Sequence, residues 1–167
     1  MLLIRPAEHK DLKAITDIYN DAVLNTTATF DISERTEQQS EDWFKKHDEK
    51  HPVITAELHG VITGWASLSE WSDRPAYSGT VECSVYVKKD FRRQGIGRKL
   101  LYQLIRNAEF LELHTIIARI SSDNTTSITM HADFGFGTIG VMKEAGYKFE
   151  KFIDVVIMQL MVNKKPG

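Results

Sequence analysis

Val85-Tyr86-Val87-Lys88-Lys89-Asp90-Phe91-Arg92-Arg93-Gln94-Gly95-Ile96-Gly97-Arg98-Lys99-Leu100 is the stretch that decides the fold. A β-branched strand, Gly79–Val87, ends, a basic turn follows, and two glycines open a helix. The spacing of Leu100, Leu101, Leu104, Ile105 and Ala108 predicts that helix over Ile96–Phe110. Glycines at such a turn let backbone N–H groups approach an anion closely, and the helix N-terminus adds its partial positive charge. Arg92, Arg93, Arg98 and Lys99 surround the turn, a setting suited to a pyrophosphate. A dinucleotide fingerprint, GxGxxG after the first strand of a βαβ unit, is absent, and so is the phosphate loop GxxxxGKS/T.

Working outward, Leu2–Ile4 reads as a short first strand, and Ala7–Asn25 as an amphipathic helix through Leu12, Ile15, Ile18, Tyr19, Ala22 and Val23. Thr26–Ser33 is a polar loop holding an isolated Phe30, and Thr36–Lys46 a second helix with Trp43 and Phe44. Val53–Leu58 and Val61–Ser69 flank His59-Gly60 as a hairpin, and Glu70–Ser78 is a loop. On the far side lie a buried strand at Thr115–Ile120, a short helix at Thr125–Phe134 and a closing strand region at Phe149–Val162. The order βααβββαβαβ implies an α/β fold, one mixed sheet with helices on both faces.

The 167 residues suit one domain. We expect it to span residues 1–163, with a disordered tail at 164–167. Apolar residues make up 42% and charged residues 26%, which excludes a largely disordered chain. The net charge of -2 gives no basic excess to drive binding to nucleic acid or anionic lipid. Cys83 is the single cysteine, and the six histidines are scattered without HExxH, so neither a disulfide nor a metal is expected. No run approaches the roughly 18 apolar residues of a membrane span, and the N-terminus does not read as a signal peptide. A cytoplasmic location follows as the expectation.

Arg92-x-x-Gly95-x-Gly97 resembles the acetyl-CoA pyrophosphate loop of the GCN5-related N-acetyltransferase (GNAT) superfamily. Further stretches are similar to its phosphinothricin acetyltransferase branch. They include Tyr19-Asn20-Asp21-Ala22-Val23, Thr27-Ala28-Thr29-Phe30, Gly64-Trp65-Ala66 and Thr80–Val87. Asn124-x-x-Ser127-x-x-x-His131 and the tail from Gly146 through Asp154 to Leu160 belong with them. Phe152 departs from the branch, where tryptophan is usual, and Ile128-Thr129-Met130 also differs in detail. The resemblance implies a single-domain GNAT fold with a mixed, mostly antiparallel sheet. It also implies an acetyl-CoA-dependent N-acetyltransferase, with acetyl-CoA as cosubstrate and a homodimeric state. The acceptor implied is a small amino-acid-like molecule such as phosphinothricin or methionine sulfoximine or sulfone.

Residue by residue, Glu82 sits among uncharged strand neighbours, a carboxylate either solvated at an edge or set in a cleft. The resemblance matches it to the general base that must deprotonate an ammonium before attack on a thioester. His131 falls where many superfamily members carry a tyrosine near the CoA sulfur; it would protonate or hydrogen-bond the departing thiolate. Val85, Tyr86, Val87, Arg92, Arg93, Gln94, Gly95, Ile96, Gly97, Arg98, Asn124 and Ser127 form the expected acetyl-CoA site. Val85 and Val87 act through their backbones there, and Asn124 on the pantetheine arm. Phe30, Asp73, Arg74, Pro75, Tyr77, Glu82, Cys83 and Ser84 form the expected acceptor side, with Arg74 the candidate for a carboxylate. Cys83 reads as a small strand residue without an evident activating base. Two other readings stay open. One is transfer to a polyamine, aminoglycoside or protein N-terminus, and the other a non-catalytic acyl-CoA sensor.

Overall fold

The computed structural model describes residues 1–162. Residue 163, which closes the expected domain, and the expected tail at 164–167 lie outside them. Seven strands form one sheet: β1 (Leu2–Pro6), β2 (Val53–Leu58), β3 (Val61–Glu70), β4 (Thr80–Val87), β5 (Thr115–Ser121), β6 (Gly137–Lys148) and β7 (Lys151–Met161). Their spatial order is β1-β2-β3-β4-β5-β7-β6. Only β4 and β5 run parallel; every other neighbouring pair is antiparallel. The mixed, mostly antiparallel α/β sheet implied by the sequence is what the chain forms.

Helices α1 (Leu12–Asn25), α2 (Glu37–Lys45), α3 (Ile96–Phe110) and α4 (Thr125–Asp133) cover the two faces. Ile15, Ile18, Tyr19 and Val23 of α1 pack on Val53 and Trp65. On the opposite face Leu100, Leu101, Leu104 and Ala108 of α3 pack on Ala66, Leu68, Val81, Cys83 and Ile116. Side chains alternate across a strand, so β4 sends Val81 and Cys83 to the α3 face and Tyr86 to the α1 face. Each fully buried leucine of α3 contributes about 1.5–3 kcal/mol through burial.

Three features stand out against the sequence reading, beyond shifts of a residue or two at element ends. The first helix starts at Leu12, after a 3-10 turn at His9–Asp11, because Asp11 accepts from the Glu8 N–H at 2.8 Å and pairs with Arg5. The loop before β4 holds a 3-10 turn at Pro75–Tyr77. The largest correction is β6, a strand absent from the expected order, which makes the chain end βαββ. β6 is exposed along most of its length and its register breaks between Thr138 and Gly140 and again between Met142 and Gly146. A strand with solvent on both faces has no alternation to read. The turn into β7 is Phe149-Glu150, both at positive φ (51° and 60°), and carries none of the glycine or asparagine that marks such turns.

Candidate active site

β4 and β5 are paired only from Thr80↔Thr115 to Glu82↔Ile117. Beyond that point β4 follows β3 as far as Val87, while β5 follows β7 as far as Ser121. The two strands therefore part at Glu82, and backbone from Cys83 to Val87 loses its neighbour on one side. A cavity of about 440 Å³ occupies the opening. Glu82 and Ser84 line it from the α1 face, Cys83 and Val85 from the α3 face, so it passes through the sheet. Asn124, Ser127 and His131 of the α4 segment close one wall, and Phe30, Met142 and Val155 supply an apolar one. The Phe30 ring lies so close over Gly146 that a Cβ there would fall 2.2 Å from it. The wall thus depends on a glycine in β6, the strand that the sequence did not reveal.

Glu82 is half-buried at the point of divergence, its side chain 20% exposed. Both its oxygens are engaged by Arg119 of β5: Nε donates to Oε1 at 2.6 Å and Nη2 to Oε2 at 2.7 Å. That fork raises the proton affinity of the Arg119 guanidinium. Arg119 also lies over Trp71, 5.7 Å from the ring centre. Sequence reasoning singled out Glu82 as a lone charge in an uncharged strand and missed Arg119, which carries the same signal in Thr115–Ser121.

His131 is 4% exposed. Its Nδ1 lies 2.8 Å from the Ser127 carbonyl, which can only accept, so Nδ1 carries the proton. Nε2 is then an acceptor, and it faces Cys83 Sγ at 3.7 Å. A base thus stands beside Cys83 after all, yet burial pushes the Cys83 thiol up to about 12, so the sulfur stays protonated. Burial also holds His131 below the ordinary histidine value. Donation from Nε2 to a thiolate would require the imidazolium that burial disfavours.

His47 is depressed by burial in the same way. An unfolded chain takes up protons on both rings near pH 6.5, whereas the native state does so only at lower pH. Stability from these groups is complete above about pH 6.5 and is lost as pH falls toward the native values. The melting temperature should therefore drop by a few degrees on mild acidification, before carboxylates titrate near pH 4, and less steeply in His131→Gln. A flat profile across that window would remove the buried-histidine account.

At the far end of β4 the chain enters the glycine turn. Arg93 has φ 60° and Gly95 φ 79°, so the turn folds back on itself just before α3. Thr36 and Asn124 cap α2 and α4 with side-chain oxygens, whereas Gly95 caps α3 with none. The first N–H groups of α3 are left for another partner. Of the surrounding cations, Arg92 donates to the Val87 carbonyl at 3.1 Å and Arg98 pairs with Asp133 at 2.7 Å. Arg93 and Lys99 have no ion-pair partner among the described residues. Gln94 is exposed and donates to the Asp90 carbonyl, whereas the Ile96 side chain is buried. An unused helix start, two uncommitted cations and an opened strand in line with them fit the pyrophosphate and pantetheine of acetyl-CoA.

Of the expected acceptor residues, Phe30, Glu82, Cys83 and Ser84 line the cavity, and Asp73, Arg74, Pro75 and Tyr77 do not. Those four are exposed, in the turn that feeds the closed end of the β4–β5 pair. The arginine that meets Glu82 is Arg119, and not the carboxylate candidate Arg74. Trp71, from the same loop, is the residue that reaches Arg119.

Residues 4–157 match the model of the acetyltransferase (GNAT) domain family. The L-methionine sulfoximine/L-methionine sulfone acetyltransferase of Salmonella typhimurium is 37% identical over 164 residues, covering 98% of this chain and 96% of that protein. The phosphinothricin N-acetyltransferase of Streptomyces coelicolor is 36% identical, covering 91% of each. The crystal structure of a GNAT superfamily phosphinothricin acetyltransferase from Sinorhizobium meliloti, in complex with acetyl-CoA, superposes with a TM-score of 0.94. It is 31% identical and covers 99% of this chain and 93% of that one. A parted parallel strand pair, an open glycine-capped helix and this agreement over nearly the whole length lead to one conclusion: the chain belongs to the GNAT family of acetyl-CoA-dependent N-acetyltransferases.

Proposed function

We propose that this chain transfers the acetyl group of acetyl-CoA to the α-amine of a small amino-acid-like acceptor, of the phosphinothricin or methionine sulfoximine and sulfone type. The observation that carries the reading is the parting of β4 from β5 at Glu82, which sets a carboxylate in the lining of a cavity along β4, the strand that runs on toward the glycine turn. The pyrophosphate takes the first N–H groups of α3 beside Gly95 and Gly97, with Arg93 and Lys99 near it. Pantetheine lies along the free side of β4, its amides filling the N–H and C=O groups near Val85 and Val87, and Asn124 borders it. Glu82 accepts a proton from the acceptor ammonium. The amine nitrogen attacks the thioester carbon, a β4 N–H meets the oxyanion, the C–S bond breaks, and the nitrogen's remaining surplus proton passes to water.

The reading is direct transfer in a ternary complex. A protonated Cys83 is a poor nucleophile, which disfavours an acetyl-cysteine intermediate. The thiolate leaves without a proton from His131, as a thiol of pKa about 8.5 allows; His131 ties α4 to β4 through Cys83. A polyamine acceptor fits less well, because the cavity's carboxylate is already paired with a guanidinium. The homodimer implied by the family resemblance is carried here as part of the reading. It has support in the apolar side chains Ile139, Val141, Tyr147 and Phe152 exposed on the β6–β7 hairpin at the sheet edge. Among the described residues no helix is long and apolar enough to cross a membrane.

A thiol-release assay tests the function. With acetyl-CoA, release is expected with phosphinothricin, methionine sulfoximine and methionine sulfone, and little with spermidine, an aminoglycoside or a peptide N-terminus. Release confined to the second group would move the chain to another acceptor class. Acetyl-CoA binding with no release from any amine would favour the sensor.

A further inference from the structure

Arg119 is the one charged side chain of β5, and it closes both oxygens of Glu82 in a two-point fork. A base in that state meets an ammonium only beside a guanidinium that already holds one lone pair of each carboxylate oxygen. A bare amine must also approach against the positive charge of Arg119. An α-amino acid removes both obstacles, since it carries its own carboxylate one carbon from its ammonium. We infer that Arg119 is the residue that recognises the acceptor's α-carboxylate, and that the Glu82–Arg119 pair opens by ion-pair exchange. The acceptor carboxylate takes the guanidinium as its ammonium takes Glu82, so that only a zwitterion replaces both halves of the pair at once.

Three observations support the exchange. Glu82 and Arg119 stand on the same sheet face, beside the last paired residues of β4 and β5, and both line the cavity. Arg119 is 51% exposed, and its Nη1 has no partner among the described residues, so a second anion can reach it without a buried group being stripped bare. The Trp71 ring beneath the guanidinium keeps a cation favourable there while Glu82 is being exchanged. The planar fork matches a carboxylate with two parallel hydrogen bonds, which a lysine ammonium cannot reproduce. The inference rests on the amino-acid reading above and sharpens it.

Steady-state kinetics with two acceptors provide the test: methionine sulfone, and 3-(methylsulfonyl)propylamine, the same molecule without its carboxylate. Wild-type protein should strongly prefer the amino acid. Arg119→Ala should raise the KM for methionine sulfone by about 10- to 100-fold, the usual loss for a charged hydrogen-bonded contact. The preference for the amino acid over the amine in kcat/KM should shrink by the same factor, and Arg119→Lys should recover that preference only in part. Acetyl-CoA binding by calorimetry should match wild type in each variant. Arg119→Met, which keeps the apolar stem over Trp71, serves if the alanine protein is unstable. An equal fall in kcat with both acceptors would overturn the inference, because Arg119 would then only hold Glu82 in place. A selective loss in Arg74→Ala with none in Arg119→Ala would overturn it as well, by giving the carboxylate to the exposed loop. Wild-type turnover with neither α-amino acids nor their analogues would instead show that the acceptor reading itself is wrong, and the exchange would fall with it.

Discussion

Glu82→Gln is expected to lower turnover by roughly 10²–10⁴, the usual contribution of a positioned general base. The substitution keeps the shape and removes the proton acceptor. It should not disturb the fold: the pair with Arg119 is partly solvated on one side and its stabilising value is small. Acetyl-CoA affinity should hardly change, since Glu82 stands where the strands part and the glycine turn lies beyond the end of the strand at Val87. Turnover within a few-fold of wild type, with acetyl-CoA bound normally, would make Glu82 structural and pass proton removal to solvent. The amide still accepts hydrogen bonds through one oxygen, so such a result could not be explained by a lost contact. It would have to mean that no side chain removes the proton.

How far the site could be read from sequence depended on whether its geometry is local. The glycine turn is local: Gly95 at φ 79° needs the left-handed region, and Arg92-x-x-Gly95-x-Gly97 spells that need within six positions. The β2–β3 hairpin is local too, its His59-Gly60 turn having positive φ at both residues. The pairing of Glu82 with Arg119 spans 37 residues and exists only because β4 and β5 adopt one parallel register before parting. No periodicity within either strand encodes that register. Cys83 and His131 lie 48 residues apart, and nothing within either segment pairs them before β4 and α4 come together. The Arg74 loop immediately precedes the Glu82 strand, a position that suggests the acceptor side. It instead joins β4 at the end where β4 and β5 are still paired, and the cavity opens from Glu82 onward. Adjacency in the chain was a poor guide at a strand end, where a loop can turn either way.

Gly97→Val should weaken acetyl-CoA binding by about 100-fold, the equivalent of one strong charged contact, while the protein melts close to wild type. A Cβ at Gly97 would meet Met130 Sδ at 3.5 Å and Val87 Cγ2 at 3.6 Å, ordinary contact distances, and the position has no positive φ. Within a helix glycine is disfavoured by up to about 1 kcal/mol relative to alanine. Backbone energetics alone would thus favour a side chain at this position in the first turn of α3, and the loss must come from the ligand side. Gly95→Val separates the two causes. Space around Gly95 is open, but its φ of 79° is one that a β-branched residue adopts only with strain, at a cost of about 1–3 kcal/mol. That variant should lose melting temperature and affinity together. Calorimetry and thermal melts on both proteins resolve the matter. If Gly97→Val keeps wild-type affinity, the first turn of α3 does not hold the pyrophosphate. If Gly95→Val also keeps it, the basic glycine turn is a structural element only, and acetyl-CoA must be anchored along β4 without the help of the helix N-terminus.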